Sequence, residues 1–161
     1  MLLRTGNLAL TTAGQIAVFN ANTSDQINGE FSTASGSDVI VTTGGWYRVS
    51  WALGFLRTAN TGGDRAMIRS YTQKRNATGG FTFDYTTNTI SSSVYIRRNN
   101  QCREGQISGY NFLYIPAGGA VQIKMDCMVE TSTTWTSSFS GISLKTSSNF
   151  MVEFVSSAPE T

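Results

Sequence analysis

The feature that most constrains the fold is an alternating pattern over residues 46–55. Large apolar side chains occupy every second position of this stretch: Tyr47, Val49, Trp51, Leu53 and Phe55. A period of two is the repeat of a β-strand, whereas a helix would repeat every 3.6 residues. The intervening side chains are mostly small, which indicates that another layer or subunit approaches that face closely.

A second strand is predicted over residues 106–115, and its two faces are both apolar. Tyr110, Phe112 and Tyr114 alternate with Leu113 and Ile115. A strand with two apolar faces is buried on both sides. We expect Leu113 and Ile115 to fill the core and the three aromatic side chains to meet another subunit, although the opposite assignment is open at this stage.

Composition extends the β pattern to the whole chain. Short apolar segments recur between Gly, Asn and Ser/Thr turns, and no segment has helical periodicity. Charged residues make up only 14% of the 161 residues, so Ser, Thr and Asn must supply most of the polar surface. The sequence therefore predicts an all-β domain: an antiparallel sandwich, jelly roll or barrel of about ten strands.

The sequence argues against an enzyme. It contains no His, which excludes an imidazole base and the zinc sites that need imidazole. It has no nucleophile elbow, P-loop or dinucleotide fingerprint. Asp126 and Glu130 share a strand face but would lie ~13 Å apart, too far for a glycosidase pair. We predict no catalytic residue, no cofactor and no metal. Calcium is an open possibility only in the polar stretch that holds Asp25, Glu30 and Asp38.

Charge is unevenly distributed along the chain. The net charge is +2, but residues 57–103 carry eight basic and two acidic side chains, a local charge of +6. The overall balance gives no strong attraction to nucleic acid or membrane, so we expect neither as a partner. The sequence instead predicts a basic patch that faces a partner protein. Its members are Arg69, Lys74, Arg75, Arg97 and Arg98.

The remaining features concern chain organisation. Cys102 and Cys127 are too few for a disulfide framework, and we expect free thiols, with a disulfide possible only if their strands are neighbours. We expect a single domain over residues 15–155, a free N-terminal arm over 1–14 and a C-terminal tail over 156–161. The first residues lack the apolar run of a secretion signal, which indicates synthesis in a cytoplasm.

Four segments carry a resemblance to a known family, in the family's order. Residues 28–50 resemble the stretch that ends in its Gly-x-Tyr-x-Phe strand, and residues 108–115 resemble its strand of small and then apolar residues. Residues 116–123 resemble the turn that follows, with Gly119 in place of Asp. Residues 138–144, Ser-Phe-Ser-Gly-Ile-Ser-Leu, resemble its closing element. The chain thus resembles the tumour necrosis factor and complement globular-head superfamily, although residues 150–155 extend past its usual last strand.

The resemblance implies a two-sheet antiparallel jelly roll that assembles into a homotrimer. It places an expected trimer interface at Tyr110, Phe112, Tyr114 and Phe139. Without a collagen-like stalk, the chain looks like the versions found in virus and bacteriophage particles. The function implied is that of a capsid decoration (cement) protein, localised on the virion surface, which binds the major capsid protein or another virion protein between capsomers. The expected capsid anchor is the N-terminal arm, through Leu2, Leu3, Arg4, Leu8 and Leu10.

Two alternatives belong to the same resemblance. One is a fibre or spike tip that binds a receptor or a host-surface glycan, with Trp135 as a stacking platform. The other is a signalling ligand of the superfamily. Both share the expected trimer and differ from the cement protein in their partner.

Overall fold

The computed structural model describes residues 1–11, 14–19, 21–22, 31–34, 37–57, 65–76, 80–83, 92–97, 103–129, 132–139 and 141–158. Regular structure in this part of the chain consists of β-strands, which confirms the all-β prediction. In chain order the strands are β1 (Leu2–Leu3), β2 (Leu8–Leu10), β3 (Gln15–Ile16), β4 (Ala21–Asn22), β5 (Phe31–Ala34), β6 (Asp38–Val41), β7 (Gly45–Arg57), β8 (Arg65–Arg75), β9 (Thr82–Phe83), β10 (Ser92–Arg97), β11 (Glu104–Ile115), β12 (Ala120–Val129), β13 (Ile142–Leu144) and β14 (Asn149–Ser156).

The strands form two antiparallel sheets. In the first sheet β7 pairs with β11 on one side and with β13 and β14 on the other, and β2, β1 and β4 follow. The second sheet has the order β10-β8-β12-β6-β5, and β9 and β3 pair with β8 and β12. The predicted two-sheet sandwich is therefore confirmed.

The core lies between the sheets, where the alternating side chains of β7 meet those of the second sheet. All five apolar positions of the 46–55 stretch are buried, as are Ile68 of β8 and Ile123 of β12. Each such side chain contributes about 1.5–3 kcal/mol through its removal from water. The period-two pattern therefore determines which face of β7 points inward.

Two buried hydrogen bonds join the sheets across this apolar core. The indole Nε1 of Trp51 donates to the hydroxyl of Ser70 at 2.8 Å, and the amide Nδ2 of Asn111 donates to Thr72 Oγ1 at 3.1 Å. Buried polar groups that are paired in this way hold one sheet in a defined position over the other. Because Trp51 and Asn111 point inward, these bonds also determine which side chains of β7 and β11 point outward.

The predicted free N-terminal arm is wrong over residues 1–11. β1 pairs with β14, and β2 pairs with β13. Leu2 and Leu10 are core residues, and Arg4 is also buried, with its Nη1 donating to the carbonyl of Val18 at 2.9 Å. Leu3 and Leu8 are half-buried within these strands. A capsid strap would have to withdraw two leucines from the core, so these five residues do not form a free anchor.

The strands that follow residues 138–144 complete one side of the first sheet. Residues 150–155 lie in β14, which is in line with β13 along the same side of β7. Leu2 lies opposite Phe150 in the β1–β14 pair, and Leu10 lies opposite Ile142 in the β2–β13 pair. The two pairs therefore have the same register. Between β13 and β14 the buried Ser148 accepts a hydrogen bond from the backbone N–H of Gly54 at 3.0 Å. The extra residues therefore continue an existing position in the sheet.

Candidate functional site

The outer face of the first sheet carries exposed aromatic side chains on β11. Tyr110 is 50% exposed and Phe112 is 51% exposed, whereas Leu113 and Ile115 are only 2% and 0% exposed. The prediction that Leu113 and Ile115 fill the core is confirmed. The aromatic side chains consequently face away from the protein's own interior.

The register of β7 and β11 places these rings side by side with residues of β7. Tyr110 lies opposite Ser50, Phe112 opposite Arg48, and Tyr114 opposite Trp46. The rings of Tyr110 and Phe112 are 6.2 Å apart, and those of Trp46 and Tyr114 are 5.9 Å apart, both edge to face. This geometry is favourable for aromatic pairs. We call these four side chains, Trp46, Tyr110, Phe112 and Tyr114, the aromatic ridge.

A shallow groove lies beside the aromatic ridge. Its volume is about 420 Å³. Its floor consists of small side chains of β7 and β11, and its rim is polar or aromatic. We call it the trough, and its principal lining residues are Arg48, Ser50, Ala52, Ser108, Tyr110 and Asn149.

Two charged side chains of opposite sign lie next to each other beside the aromatic ridge. Nη1 of Arg48 is 3.7 Å from a carboxylate oxygen of Glu153, and both side chains are about half exposed. An exposed pair of this kind contributes only about 0–1 kcal/mol to stability. Its main consequence is that the aromatic ridge is flanked by a balanced pair of charges.

The outer face of the second sheet is polar, and several of its charges are paired. One carboxylate oxygen of Asp126 accepts bonds from Nε and Nη2 of Arg69 at 2.9 and 2.8 Å and from the hydroxyl of Tyr71 at 3.0 Å. Nη2 of Arg75 lies 3.7 Å from the carboxylate oxygen Oδ2 of Asp38. The centre of this second face is therefore occupied by paired charges, whereas the centre of the first face carries the aromatic ridge.

The predicted basic patch is not assembled as a single free surface. Arg69 and Arg75 are paired with carboxylates on the outer face, whereas Lys74 donates to the carbonyl of Tyr114 in the first sheet at 3.3 Å. Arg97 lies beside the ring of Tyr95. Arg98 lies outside the described residues.

Two aromatic residues occupy positions other than those expected. Phe139 is 0% exposed and belongs to the core, so it cannot line an interface on the surface of the folded subunit. The guanidinium of Arg69 lies 4.6 Å from the ring centroid of Trp135, which is half-buried. Trp135 therefore packs on its own chain and offers no open platform on that side.

Cys127 is a free, fully buried thiol. Burial raises the pKa of Cys127 to about 11, and the positive charge of Arg57 opposes this shift. The thiol is thus protonated at neutral pH and is a poor nucleophile. The free-thiol prediction is confirmed for Cys127, and Cys102 lies outside the described residues.

The described residues lack two other kinds of site. No group of three or more His, Cys, Asp or Glu side chains among the described residues could hold a metal ion. No helix in the same residues is long and apolar enough to cross a membrane. Of the calcium candidates, Asp38 pairs with Arg75, and Asp25 and Glu30 lie outside the described part.

Sequence reasoning found three members of the aromatic ridge and missed Trp46 and the trough. The signal for the trough was present, because the small residues between the apolar positions of β7 indicated close approach by another layer. What could not be read from one strand was that Ser108 and Asn149 on the neighbouring strands would lie beside Ala52.

Comparison with known proteins supports the fold alone. No family model matches the chain, and no curated protein matches it. Among solved structures, the Eiger TNF from S. frugiperda is similar with a TM-score of 0.60 and 14% identity, over 97% of this chain and 89% of that one. The protein therefore has a TNF-like jelly-roll fold.

Proposed function

We propose that the protein is a non-enzymatic structural protein that acts as a homotrimer, and that its role is to decorate and stabilise a virus or bacteriophage capsid. The single observation that carries the proposal is the aromatic ridge. Tyr110 and Phe112 are half exposed in the subunit, on a sheet face that would ordinarily be polar if it met water. Such a patch is typical of a surface that another protein covers.

The position of the ridge favours self-association. In the described part of the chain β11 pairs only with β7, so the aromatic side chains lie at one margin of the sheet. Three copies related by a closed rotation can bring such margins together and hide them from water. The resemblance to the tumour necrosis factor superfamily implies the same stoichiometry.

The mass of the particle in solution tests the trimer. Three subunits of 17.4 kDa give a particle of about 52 kDa, which light scattering distinguishes from a monomer or dimer. A monodisperse particle of that mass at micromolar concentration supports the proposal. A monomer across the accessible concentration range contradicts it.

The capsid role is supported by composition and by the difference between the two outer faces. A trimer that covers the aromatic ridge leaves the polar face of the second sheet available for a capsid protein. The low charge and high Ser/Thr content resemble those of known decoration proteins. In this arrangement the protein works by adhesion, because expansion or rupture of the capsid must first break the contacts that bridge capsomers.

Binding to capsids tests this role directly. Purified heads of the virus or phage that encodes the chain are sedimented with the protein, and the bound protein is quantified. Saturable binding in multiples of three per capsid, together with a higher temperature of capsid rupture, is the expected result. Absence of binding at saturating protein concentrations contradicts the decoration role while leaving the trimer intact.

One observation favours the alternative of a glycan-binding fibre tip. Tyr95 is 43% exposed and lines a pocket of about 230 Å³ together with Met67, Met128 and Arg65. An exposed ring beside a shallow pocket suits a sugar face. Binding to a glycan array that Tyr95→Ala abolishes, without binding to capsids, would favour this alternative. Capsid binding that persists in Tyr95→Ala favours decoration.

A further inference from the structure

We infer that the trough is the docking site for Phe112 of a second copy of the chain. This inference rests on the proposed self-association and assigns the contact by which one copy recognises the next. Phe112 lies on the outer face of the first sheet and is 51% exposed, and unlike Tyr110 it does not line the trough. The trough is a groove of suitable size on the same face.

The shape of the face supports this pairing. The strand pairing places Asn149, Ala52 and Ser108 in one row across three strands, and none of these side chains is large. The neighbouring row contains Tyr110. The aromatic ring of Tyr110 therefore stands above the row of small side chains and forms one wall of the groove. A volume of about 420 Å³ lies within the range of about 300–1,000 Å³ that small-molecule sites have, and it has room for a phenyl ring.

The chain's own Phe112 does not fill this space. It lies opposite Arg48, and its ring contacts the ring of Tyr110 at 6.2 Å. The trough extends from Arg48 past Tyr110 to Ser108 and Ala52, and Phe112 is not among its lining residues. The ring and the groove that fits it are thus separated on one subunit, as a contact between two copies requires.

The chemistry of the trough suits an aromatic occupant. A ring seated over Ala52 would meet the edge or face of Tyr110, a favourable contact between aromatic groups. Arg48 lines the same groove, and its Nη1 lies 3.7 Å from Oε2 of Glu153, which is too long for a hydrogen bond. It is therefore positioned for a cation–π contact with an incoming ring.

The pairing also explains how a closed assembly can form. Each copy presents one Phe112 and one trough, and these are different surfaces. Contacts between different surfaces generate a ring when the rotation closes. In a ring of three, every Phe112 occupies a neighbour's trough and every trough is filled.

Disulfide trapping between two variants that each carry one introduced surface cysteine tests the inference. Phe112→Cys and Ala52→Cys are made in a Cys102→Ser background, with different affinity tags, and are co-expressed; the buried Cys127 is left in place. Mild oxidation is expected to link Cys at 112 of one copy to Cys at 52 of the other, seen as a dimer that carries both tags. The matched control replaces Ala52→Cys by Ser93→Cys, an exposed site on the outer face of the second sheet, and is expected to give no mixed dimer.

Each outcome bears on the inference. Efficient self-linking of Phe112→Cys without the mixed product would mean that the ridges meet each other, and it would overturn the docking site. A wild-type protein that is trimeric but gives no mixed product would overturn the docking site and leave the proposed trimer standing. A monomeric wild type would overturn both.

A filled trough provides a second measurement that needs no oxidation. Ala52→Phe places a ring where the neighbour's Phe112 is inferred to dock, and its side chain points outward, so the core of the subunit is unchanged. The assembly is expected to dissociate to folded monomers, with an unchanged circular dichroism spectrum. An intact assembly in Ala52→Phe would contradict the inference.

Discussion

At the scale of single residues, a few positions determine how the two sheets pack, and Gly109 is one of them. It lies opposite Trp51 in the register of β7 and β11. A Cβ at Gly109 would overlap the indole ring of Trp51, and that indole makes the buried bond to Ser70. The absence of a side chain at Gly109 is therefore what allows Trp51 to bridge the sheets.

Gly109→Ala is expected to destabilise the subunit. The added methyl must displace the indole, and overpacking of this kind typically costs about 1–3 kcal/mol. Urea unfolding followed by tryptophan fluorescence measures the change in the free energy of unfolding. Gly6→Ala is the matched control, because nothing lies within 4 Å of a Cβ there. Equal stability of the two variants would contradict the packing described.

Cys127 predicts a specific loss of stability at high pH. Its pKa is raised from 9.0 to about 11 in the folded protein, so the folded state holds its proton more tightly than the unfolded state. The stabilising contribution is therefore complete below pH 9 and is lost as the pH rises towards 11.

The comparison of wild type with Cys127→Ala isolates this effect from the titration of Lys and Tyr. The wild type is expected to lose more unfolding free energy than the variant between pH 8.5 and 10.5. Parallel pH profiles for the two proteins would show that the thiol is not buried as described.

At the scale of elements, the long strands were predicted from the sequence and the shortest strands were not. Residues 46–55 and 106–115 alternate over many positions, and both are strands, β7 and β11, in the structure. β1 and β2 span only two and three residues, too few for a periodic signal. They are held by pairing with β14 and β13. These partners are more than a hundred positions away in sequence, so a local sequence pattern cannot predict the pairing.

The candidate site was predicted unevenly for a similar reason. The aromatic positions of β11 follow from alternation within one strand. The prediction of a single free basic patch was wrong because two of its members pair with carboxylates from other strands. Arg69 pairs with Asp126, and Arg75 pairs with Asp38. Phe139 lies next to Gly and Ser residues, so its neighbours gave no sign that it belongs to the core.

Leu10→Ala tests whether the N-terminal segment belongs to the sheet. Leu10 is buried and lies opposite Ile142, so removal of its side chain leaves a cavity and is expected to cost about 2–5 kcal/mol. Thermal unfolding measures the loss. The exposed neighbour provides the control, and Ala9→Ser is expected to change stability by less than about 0.5 kcal/mol. A free arm would leave both variants as stable as the wild type.

At the scale of the whole molecule, the two outer faces of the sandwich have different chemistry. The first carries the aromatic ridge and two exposed ion pairs, Arg48–Glu153 and Lys145–Glu104. The centre of the second carries the paired Arg69, Asp126 and Tyr71, and Tyr95 is exposed at its β10 margin. A subunit of this kind is expected to cover the first face and to present the second. The proposed assembly and the proposed adhesion to a capsid both follow from this asymmetry.

The most direct measurement of the central claim is sedimentation velocity of the wild type beside the double variant Tyr110→Ser/Phe112→Ser. The exposed rings contribute little to the core of the subunit, so the account predicts that the double variant sediments as a folded 17.4 kDa monomer while the wild type sediments as a trimer. If both proteins sediment with the same mass, whether as trimers or as monomers, the aromatic ridge is not the surface that joins the subunits.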